Sequence, residues 1–526
     1  MFKNYFKTAW RNLTRNKVYS FINIAGLAIG IAVCMMIFLI IQYQNSFDNF
    51  HKKKDHIYRL LTEFHHADSK DIFTGHGVPF GIPNSVKTAF PQVIEVAPLF
   101  ASHSDQMVIQ DNTGAPIKKF KEQDGIFYTE PSFFKIFDFP LLSGSYKSLD
   151  DPNNVLLSMK TADKYFGDWK NATGKTIRLN NDIVLKVSGV LASIPANTDF
   201  QFKAVISYGT GYTQGLKTST DNDGVNQDFG CYILLPKNIK ASTFEKQLRA
   251  YSAKVKSPDD KDQVTMQPLA DVHYDTKAGT FSNNGISHTM INILWLIASF
   301  ILLIACVNFI NLSTAQAVNR AKEVGVRKVL GSNKSQLRLQ FISETFLIVF
   351  ASVMAVIILA VLAIPFVNNL LELSIKINAS NAMSILVFLF LIIIAVTGIA
   401  GFYPSVVLSK FNPINALKSK LAVKSTKGIS LRRGLVVFQF ITAQVLIIGT
   451  LVILKQMNFF LTQPLGFDKN AIVNIPLPTD SLSKIKYDFV SQKKQRNKQD
   501  SIATFWNRDV FEKIDSWYLN IDTAQE

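Results

Sequence analysis

The chain has 526 residues, 48% of them hydrophobic, with a mean hydropathy of +0.15 and a formal net charge of +17. That hydropathy is high for a soluble protein, and its source is local: the apolar residues gather in blocks long enough to cross a bilayer, which takes about 20 helical residues. The positive charge is equally local, which removes the nucleic-acid reading that such an excess invites.

Five blocks qualify as membrane spans: 21–43, 290–315, 341–366, 383–408 and 435–454. Glu344 is the only acidic or basic residue inside them. Five helices of this length, almost free of charge, do not fit a soluble core. Residues 44–287 carry 27 basic and 27 acidic groups and are neutral as a whole. The excess sits in three short segments beside the spans: five basic and no acidic groups in 1–20, six and one in 315–343, seven and none in 409–433. Loops rich in Lys and Arg stay on the cytoplasmic side, so the N-terminus is expected inside and residues 44–287 outside. Contact with anionic lipid is a smaller expected role for this charge.

In chain order, residues 1–20 are expected as a cytoplasmic amphipathic helix, with Phe2, Tyr5, Phe6, Ala9, Trp10 and Leu13 on one face. The first span, 21–43, has an apolar run too long for a signal-peptide core, so it reads as a retained anchor. It contains Gly26 and Gly30, a small-xxx-small pair that would let another helix pack closely. Residues 44–287 are expected as a mixed α/β extracytoplasmic domain, large enough for two subdomains. Within it 175–187 reads as a hairpin turning at Asn180, Asn181 and Asp182, and 154–158 as a strand. A helix is expected over 242–255, capped by Ser242 or Thr243. Phe127, Phe133, Phe134, Phe137 and Phe139 read as core. Residues 288–408 would hold the second to fourth spans around an inner loop, 316–340. Then come a cytoplasmic linker, 409–433, and a fifth span, 434–456. The fold class is therefore an α-helical membrane protein of five spans with a large mixed α/β extracytoplasmic domain.

The chain offers no positive case for catalysis. Gly174-Lys175-Thr176 is no phosphate loop: six residues separate Gly167 from Gly174 where four are needed, and the segment opens a strand. The adjacent His65 and His66 point apart in any regular structure and read as a solvent-exposed pair. Cys34 and Cys306 lie in spans and Cys231 is alone outside, so neither a disulfide nor a zinc site is expected. No cofactor or metal is expected on this chain.

The inner loop is different. Residues 315–330 have a helical composition, and Gly331 with Ser332 would stop the helix before 334–341 leads into the third span. A short helix lying parallel to the membrane fits a groove on a cytoplasmic partner. Glu323, Arg327 and Lys328 would form its charged rim and Val324, Val326 and Val329 its apolar knob. A plain connecting loop whose charge only sets topology accounts for the same residues.

Several motifs here resemble the MacB/FtsX-like permeases of ABC transporters. They are Arg320, Glu323-Val-Gly-Val-Arg327 and Gly331, followed by Gln340-Phe-Ile-Ser-Glu344. Gly401-Phe-Tyr-Pro-Ser405 and Phe411-Asn-Pro-Ile-Asn-Ala-Leu417 fit the same pattern, as do Trp10-Arg-Asn-Leu, Asn23 to Gly30, Ile57-Tyr-Arg59 and the stretch 127–158. The resemblance implies a MacB-like periplasmic core domain at 44–287 and an FtsX-like permease domain at 288–408, in a type VII ABC architecture. It implies a multi-pass protein of the cell (inner) membrane, not itself an enzyme. ATP would be bound only by a separate cytoplasmic ABC ATPase dimer, whose movement reaches the outer domain by mechanotransmission. Arg320, Glu323, Gly325, Arg327, Lys328 and Gly331 would form the coupling interface. The implied function is export or efflux of peptides, drugs or lipoproteins. A membrane sensor with a ligand-binding outer domain is the alternative. Arg432-Arg-Gly-Leu and the stretch 466–478 resemble the start of a second copy, so 457–526 reads as an incomplete second outer segment. That would make the chain a truncated or frameshifted product, active or not; the alternative is a five-span protein whose tail docks outside, and a homodimer or a second permease half stays open as partner.

Overall fold

The computed structural model describes residues 2–65, 72–111, 114–180, 182–409, 426–463, 487–491 and 503–507. The chain divides into a helical unit, 1–46 with 286–467, and an α/β unit, 47–285 with 468–526.

Two helices open the chain. The first, α1 (Phe2–Arg15), has alternating apolar and basic residues, and α2 (Lys17–Gln44) is apolar on every side, as expected of a span. Asn16, at φ −105° and ψ 59°, leaves the helical region and separates them.

The strands of the α/β unit are β1 (Ile57–His65), β2 (Ile72–Gly75), β3 (Val78–Pro79), β4 (Glu95–Ser102), β5 (Asp105–Gln110), β6 (Pro116–Glu122), β7 (Ile126–Thr129) and β8 (Leu141–Gly144). They continue with β9 (Asn154–Ser158), β10 (Thr176–Leu179), β11 (Ile183–Leu191), β12 (Ala204–Ser207), β13 (Val225–Asn226), β14 (Phe229–Leu234) and β15 (Gln263–Pro268). Its helices are α3 (Ile82–Ala89), α4 (Pro131–Ile136), α5 (Met159–Phe166), α6 (Tyr212–Leu216), α7 (Ala241–Val255) and α8 (Leu269–Val272). Thirteen strands form one hydrogen-bonded sheet in the order β15-β1-β14-β4-β7-β12-β9-β11-β10-β5-β6, with β2 beside β1 and β8 beside β11. A separate antiparallel pair joins Tyr487–Ser491 to Ala503–Asn507.

The alternation of side chains along the strands divides the core between the two faces of this sheet. Val155, Leu157, Ala204, Ile206, Cys231 and Ile233 enter one cluster, and their neighbours Leu156, Val205, Tyr232 and Leu234 enter the other. The second cluster holds Phe127, Phe133, Phe137 and Phe139, all at most 4% exposed, with Phe134 packed on its rim. These phenylalanines are core. The expected division into two subdomains gives way to one continuous sheet, because β7, β12, β9 and β11 pair side by side and leave no edge between the halves.

Local details sort the other expectations. β10 and β11 form the 175–187 hairpin, and Asn180 takes the left-handed φ of +49° that its turn needs. Asn181 lies outside the described residues. Helix α7 is capped by Lys240, whose side chain makes no cap bond, so neither Ser242 nor Thr243 serves. His65 is partly buried, 3.9 Å from Glu63, instead of solvent-exposed; His66 lies outside the described residues. Cys231, Cys34 and Cys306 are free and buried. Gly174 leads into the strand β10, as expected. Among the described residues no group of three or more His, Cys, Asp or Glu side chains could hold a metal.

The helical unit continues with α9 (His288–Val329), α10 (Lys334–Leu371), α11 (Ala379–Ser409) and α12 (Thr426–Thr462). With α2 they supply five helices long and apolar enough to cross a membrane. Tyr19 Oη and Ser313 Oγ join α2 to α9 at 2.7 Å, and Ser352 Oγ donates to the Ile24 carbonyl at 3.2 Å, joining α10 to α2. Phe38 stacks on Phe388 of α11 at 4.0 Å. The glycine pair of α2 divides. A Cβ on Gly30 would lie 2.5 Å from Ala305 Cβ, so this glycine allows α2 and α9 to touch; a Cβ on Gly26 would meet nothing within 4 Å, so among the described residues Gly26 makes no close helix contact. Much of the expected 457–526 segment, and the 411–417 motif, lie outside the described residues.

Two outcomes follow. Gly30→Val forces an overpacked contact, which costs about 1–3 kcal/mol; it should lower the thermal midpoint in detergent by several degrees, while Gly26→Val should leave it unchanged. His273 is 6% exposed and stacks on Phe47 at 3.6 Å; burial pushes its pKa down to about 4, against a weaker opposing pull from Asp199. Its neutral form is therefore favoured by folding. The stability it confers is complete above its ordinary value of 6.5 and is lost as pH falls through about 4, by at most roughly 3 kcal/mol. Acid titration of the thermal midpoint should show this loss in the native chain and a reduced one in His273→Phe.

Candidate functional site

The inner loop is the tip of a helical hairpin. Helix α9 does not end at the membrane: it runs unbroken for 42 residues, about 63 Å at 1.5 Å per residue. The expected short helix parallel to the membrane is in fact the last part of this long helix. No proline interrupts 288–329, and the lone Gly325 costs only about 1 kcal/mol against alanine, too little to break so long a ladder.

The turn is built from glycine geometry. Ser332 N donates to the Arg327 carbonyl at 2.9 Å and Gly331 N to the Lys328 carbonyl at 3.1 Å, with Gly331 at φ +94°. This is a Schellman termination, and it requires the residue most tolerant of positive φ. Asn333 and Gln336 then cap α10 reciprocally, Asn333 N donating to Gln336 Oε1 at 3.0 Å. Stop and start signals thus lie back to back.

The structure sorts the expected interface residues. Val324 is no part of an apolar knob: it is 2% exposed and packs on Leu337 and Phe341 of α10, because it lies on the inner face of the hairpin. Gly325 is buried beside it. Val326 is 47% exposed, Val329 66% and Leu330 80%, so the apolar surface of the tip is theirs. Arg320 and Glu323 fall on α9, with side chains outside what the structure describes.

Arg327 and Lys328 face other helices of the unit. Arg327 donates through Nη1 to Gln340 Oε1, and Gln340 Nε2 donates to Glu344 Oε1 at 3.4 Å. Asn12 Nδ2 of α1 donates to Glu344 Oε2 at 3.0 Å. Lys328 Nζ donates to the Ser409 carbonyl at 2.8 Å, and Arg338 Nε to Ser409 Oγ at 3.2 Å. Two cations from the hairpin thereby close the C-terminal end of α11, where backbone carbonyls lack helical partners. Burial holds Lys328 below the usual lysine range, and nearby Lys334 adds to that. This assembly is a polar joint connecting α1, α9, α10 and α11.

Asn12, Arg338, Gln340, Glu344 and Ser409 were not among the expected interface residues. One signal pointed to them: Glu344 is the sole charge in the spans, and such a charge demands a partner. Glu344 is 7% exposed, and hydrogen bonds to a charged group are worth about 1.5–3 kcal/mol each. Asn12→Leu should therefore lower stability in detergent, and the loss should shrink when Glu344→Gln is already present. A thermal double-mutant cycle should show non-additivity of at least about 0.5 kcal/mol; strictly additive losses would remove this contact from the account.

Comparison with known proteins agrees with this architecture. A family model described as MacB-like periplasmic core domain matches residues 20–265, and one described as FtsX-like permease C-terminal matches residues 295–413. The pyoverdine export ATP-binding/permease protein PvdT of Pseudomonas fluorescens is 21% identical over 432 residues, covering 79% of this chain and 59% of that protein. The macrolide export ATP-binding/permease protein MacB of Rhodopirellula baltica is 26% identical over 298 residues, covering 51% of this chain and 41% of that one. The chain thus spans about half the length of these curated relatives. A crystallised domain of a candidate permease protein from Porphyromonas gingivalis covers 41% of this chain and 91% of its own, at 18% identity and a TM-score of 0.36. With a periplasmic core domain model and a permease domain model matched in order along a five-span chain, this protein belongs to the MacB/FtsX-like family of ABC transporter permeases.

Proposed function

We propose that this chain is the membrane subunit of an exporter and that a separate cytoplasmic ABC ATPase drives it through the α9–α10 hairpin. The observation that carries the reading is the tip itself: Val326, Val329 and Leu330 are exposed at the end of a helix that continues directly from a membrane span. An exposed apolar knob with the exposed Lys334 nearby in the chain suits a groove on another protein. Arg320 and Glu323 complete the proposed interface, Gly331 sets the turn that presents it, and the buried Gly325 serves only within the hairpin.

The helix α9 makes mechanotransmission physically direct. A displacement at the tip moves a single rod, and the polar joint carries it to α1 and α11. ATP would act only through the difference in its partner's affinity for two hairpin positions. The basic segments support an N-terminus and a hairpin tip on the cytoplasmic side, with the core domain in the periplasm. The ATPase is proposed as a dimer that alone binds and hydrolyses nucleotide; a second permease chain, this one or another, would complete the assembly. Export of small molecules is favoured because both curated relatives carry export names.

The test is co-purification of the tagged chain from native membranes, followed by an ATP hydrolysis assay. The expected result is a stoichiometric ATPase. Val329→Glu with Leu330→Glu changes exposed residues only, so the chain should insert normally while the ATPase is lost or its turnover falls at least tenfold. Glu323→Lys should act in the same direction. An ATPase bound and stimulated equally by all variants would overturn the coupling role of the tip.

A further inference from the structure

In the α/β unit, the segment that follows α2 and the segment that precedes α9 in the chain are held by the same short loop, 197–200. The inbound segment contributes Asp48. Its amide donates to the Asn197 carbonyl at 3.0 Å, and its carboxylate accepts from Thr198 Oγ1 and from the Asp199 amide at 3.3 Å. The outbound segment contributes Phe281 and Ser282. Their amides donate to the Asp199 carboxylate at 3.2 and 2.8 Å, and Ser282 Oγ donates to it at 2.7 Å. Asp48, Thr198 and Asp199 are all at most 5% exposed, so these bonds work without competing water.

Each segment is also fixed to the sheet or its core. His51 Nδ1 accepts from the Asp138 amide at 3.0 Å, and Asp138 Oδ2 accepts from the Lys52 amide at 2.6 Å, beside the phenylalanine cluster. On the outbound side Arg59 of β1, fully buried, donates to the Gly279 carbonyl and to Gln267 Oε1, both at 2.7 Å. Gln267 Nε2 in turn donates to Asp275 Oδ2 at 2.9 Å, and Asp275 Oδ1 accepts the amides of Lys277 and Ala278. Finally Phe47 lies flat on His273, with ring centroids 3.6 Å apart. Two segments more than 220 residues apart thus meet at one buried clasp.

We infer that Asp48 and Asp199 are positioning residues that lock the inbound and outbound segments of the periplasmic domain together, so that the domain receives movement from its two flanking helices as one rigid input. The role in transmission rests on the ATPase-coupling reading; the lock itself does not. Without it, each helix could displace its own segment, and the sheet would feel two uncorrelated pulls. With it, only their common displacement reaches the domain.

The test is amide hydrogen exchange on the full-length chain in nanodiscs, read at Phe281 and Ser282. Asp199→Ala should speed exchange there at least tenfold, since it removes their acceptor. The decisive variant is Asp48→Ala, which touches neither amide: a shared lock predicts a severalfold acceleration at Phe281 and Ser282 as well. Native exchange at those amides in Asp48→Ala would overturn the proposal, because the segments would then be held independently. Strands β10 and β11 serve as the folding control; if they too lose protection, Asp48→Asn replaces Asp48→Ala under the same criterion. A second arm adds the co-purified ATPase with ATP and vanadate. Exchange changing in both segments together supports transmission through the lock, and a change confined to one segment overturns it. No change in either, with the lock intact, counts against the ATPase-coupling reading alone.

Discussion

A carboxylate inside an apolar helix constrains everything around it. Glu344 stands alone among the spans as a charged residue, and an ionised group there is retained only if polar partners are brought to it. Asn12 and Gln340 supply them, and Gln340 is itself held by Arg327. To satisfy one side chain, the protein must bring the N-terminal helix α1 against α10 and keep the base of α9 in register with both. The rest of this end of the unit follows from that arrangement: the hairpin tip extends beyond the joint, and Lys328 and Arg338 reach the end of α11.

Away from this joint the helical unit depends on shape. Gly30 lets α2 approach Ala305, and Gly401 brings α11 against Thr345, whose Cβ would lie 3.2 Å from an added methyl. Such contacts suit a bilayer, where burying apolar surface between helices gains little and close packing decides association. The polar joint at one end and small-residue contacts along the helices therefore divide the work. One fixes register, and the other permits close approach.

The periplasmic domain is held on a different principle. Its sheet is covered on both faces, and the aromatic cluster around Phe133, Phe137 and Phe200 packs one face through a stacked contact, Phe133 on Phe137, and edge-to-face contacts of both with Phe200. Glu122, 3% exposed, adds a polar tie at the sheet's end: burial opposes its charge, but Lys164 and Lys203 prevail and hold its pKa below the ordinary range. A domain built this way has its aromatic core on one face of the sheet and a buried ion-pair tie at the sheet's end.

Much of this is legible in the sequence. Span number, the outer location of 44–287 and the hairpin at 175–187 depend on local composition and alternation, and these are properties of short windows of sequence. So did the glycine stop at Gly331, whose φ a side chain would disfavour. What escaped was non-local. Val324 looked like a surface residue because its partners, Leu337 and Phe341, lie across a turn. The motifs around Asn12 and Glu344 lie far apart in the sequence, and nothing in a linear pattern says that residues 332 positions apart share a hydrogen bond. Arg59 stood out as a motif residue, and only the fold showed it buried against the outbound segment. Chain chemistry alone therefore determined which segments cross the membrane and where helices stop, because solvation and backbone strain act residue by residue. Which helices share a charge, how far α9 continues, and that one loop clasps both ends of the outer domain were decided only by tertiary structure, because each depends on satisfying buried polar groups with partners drawn from distant parts of the chain.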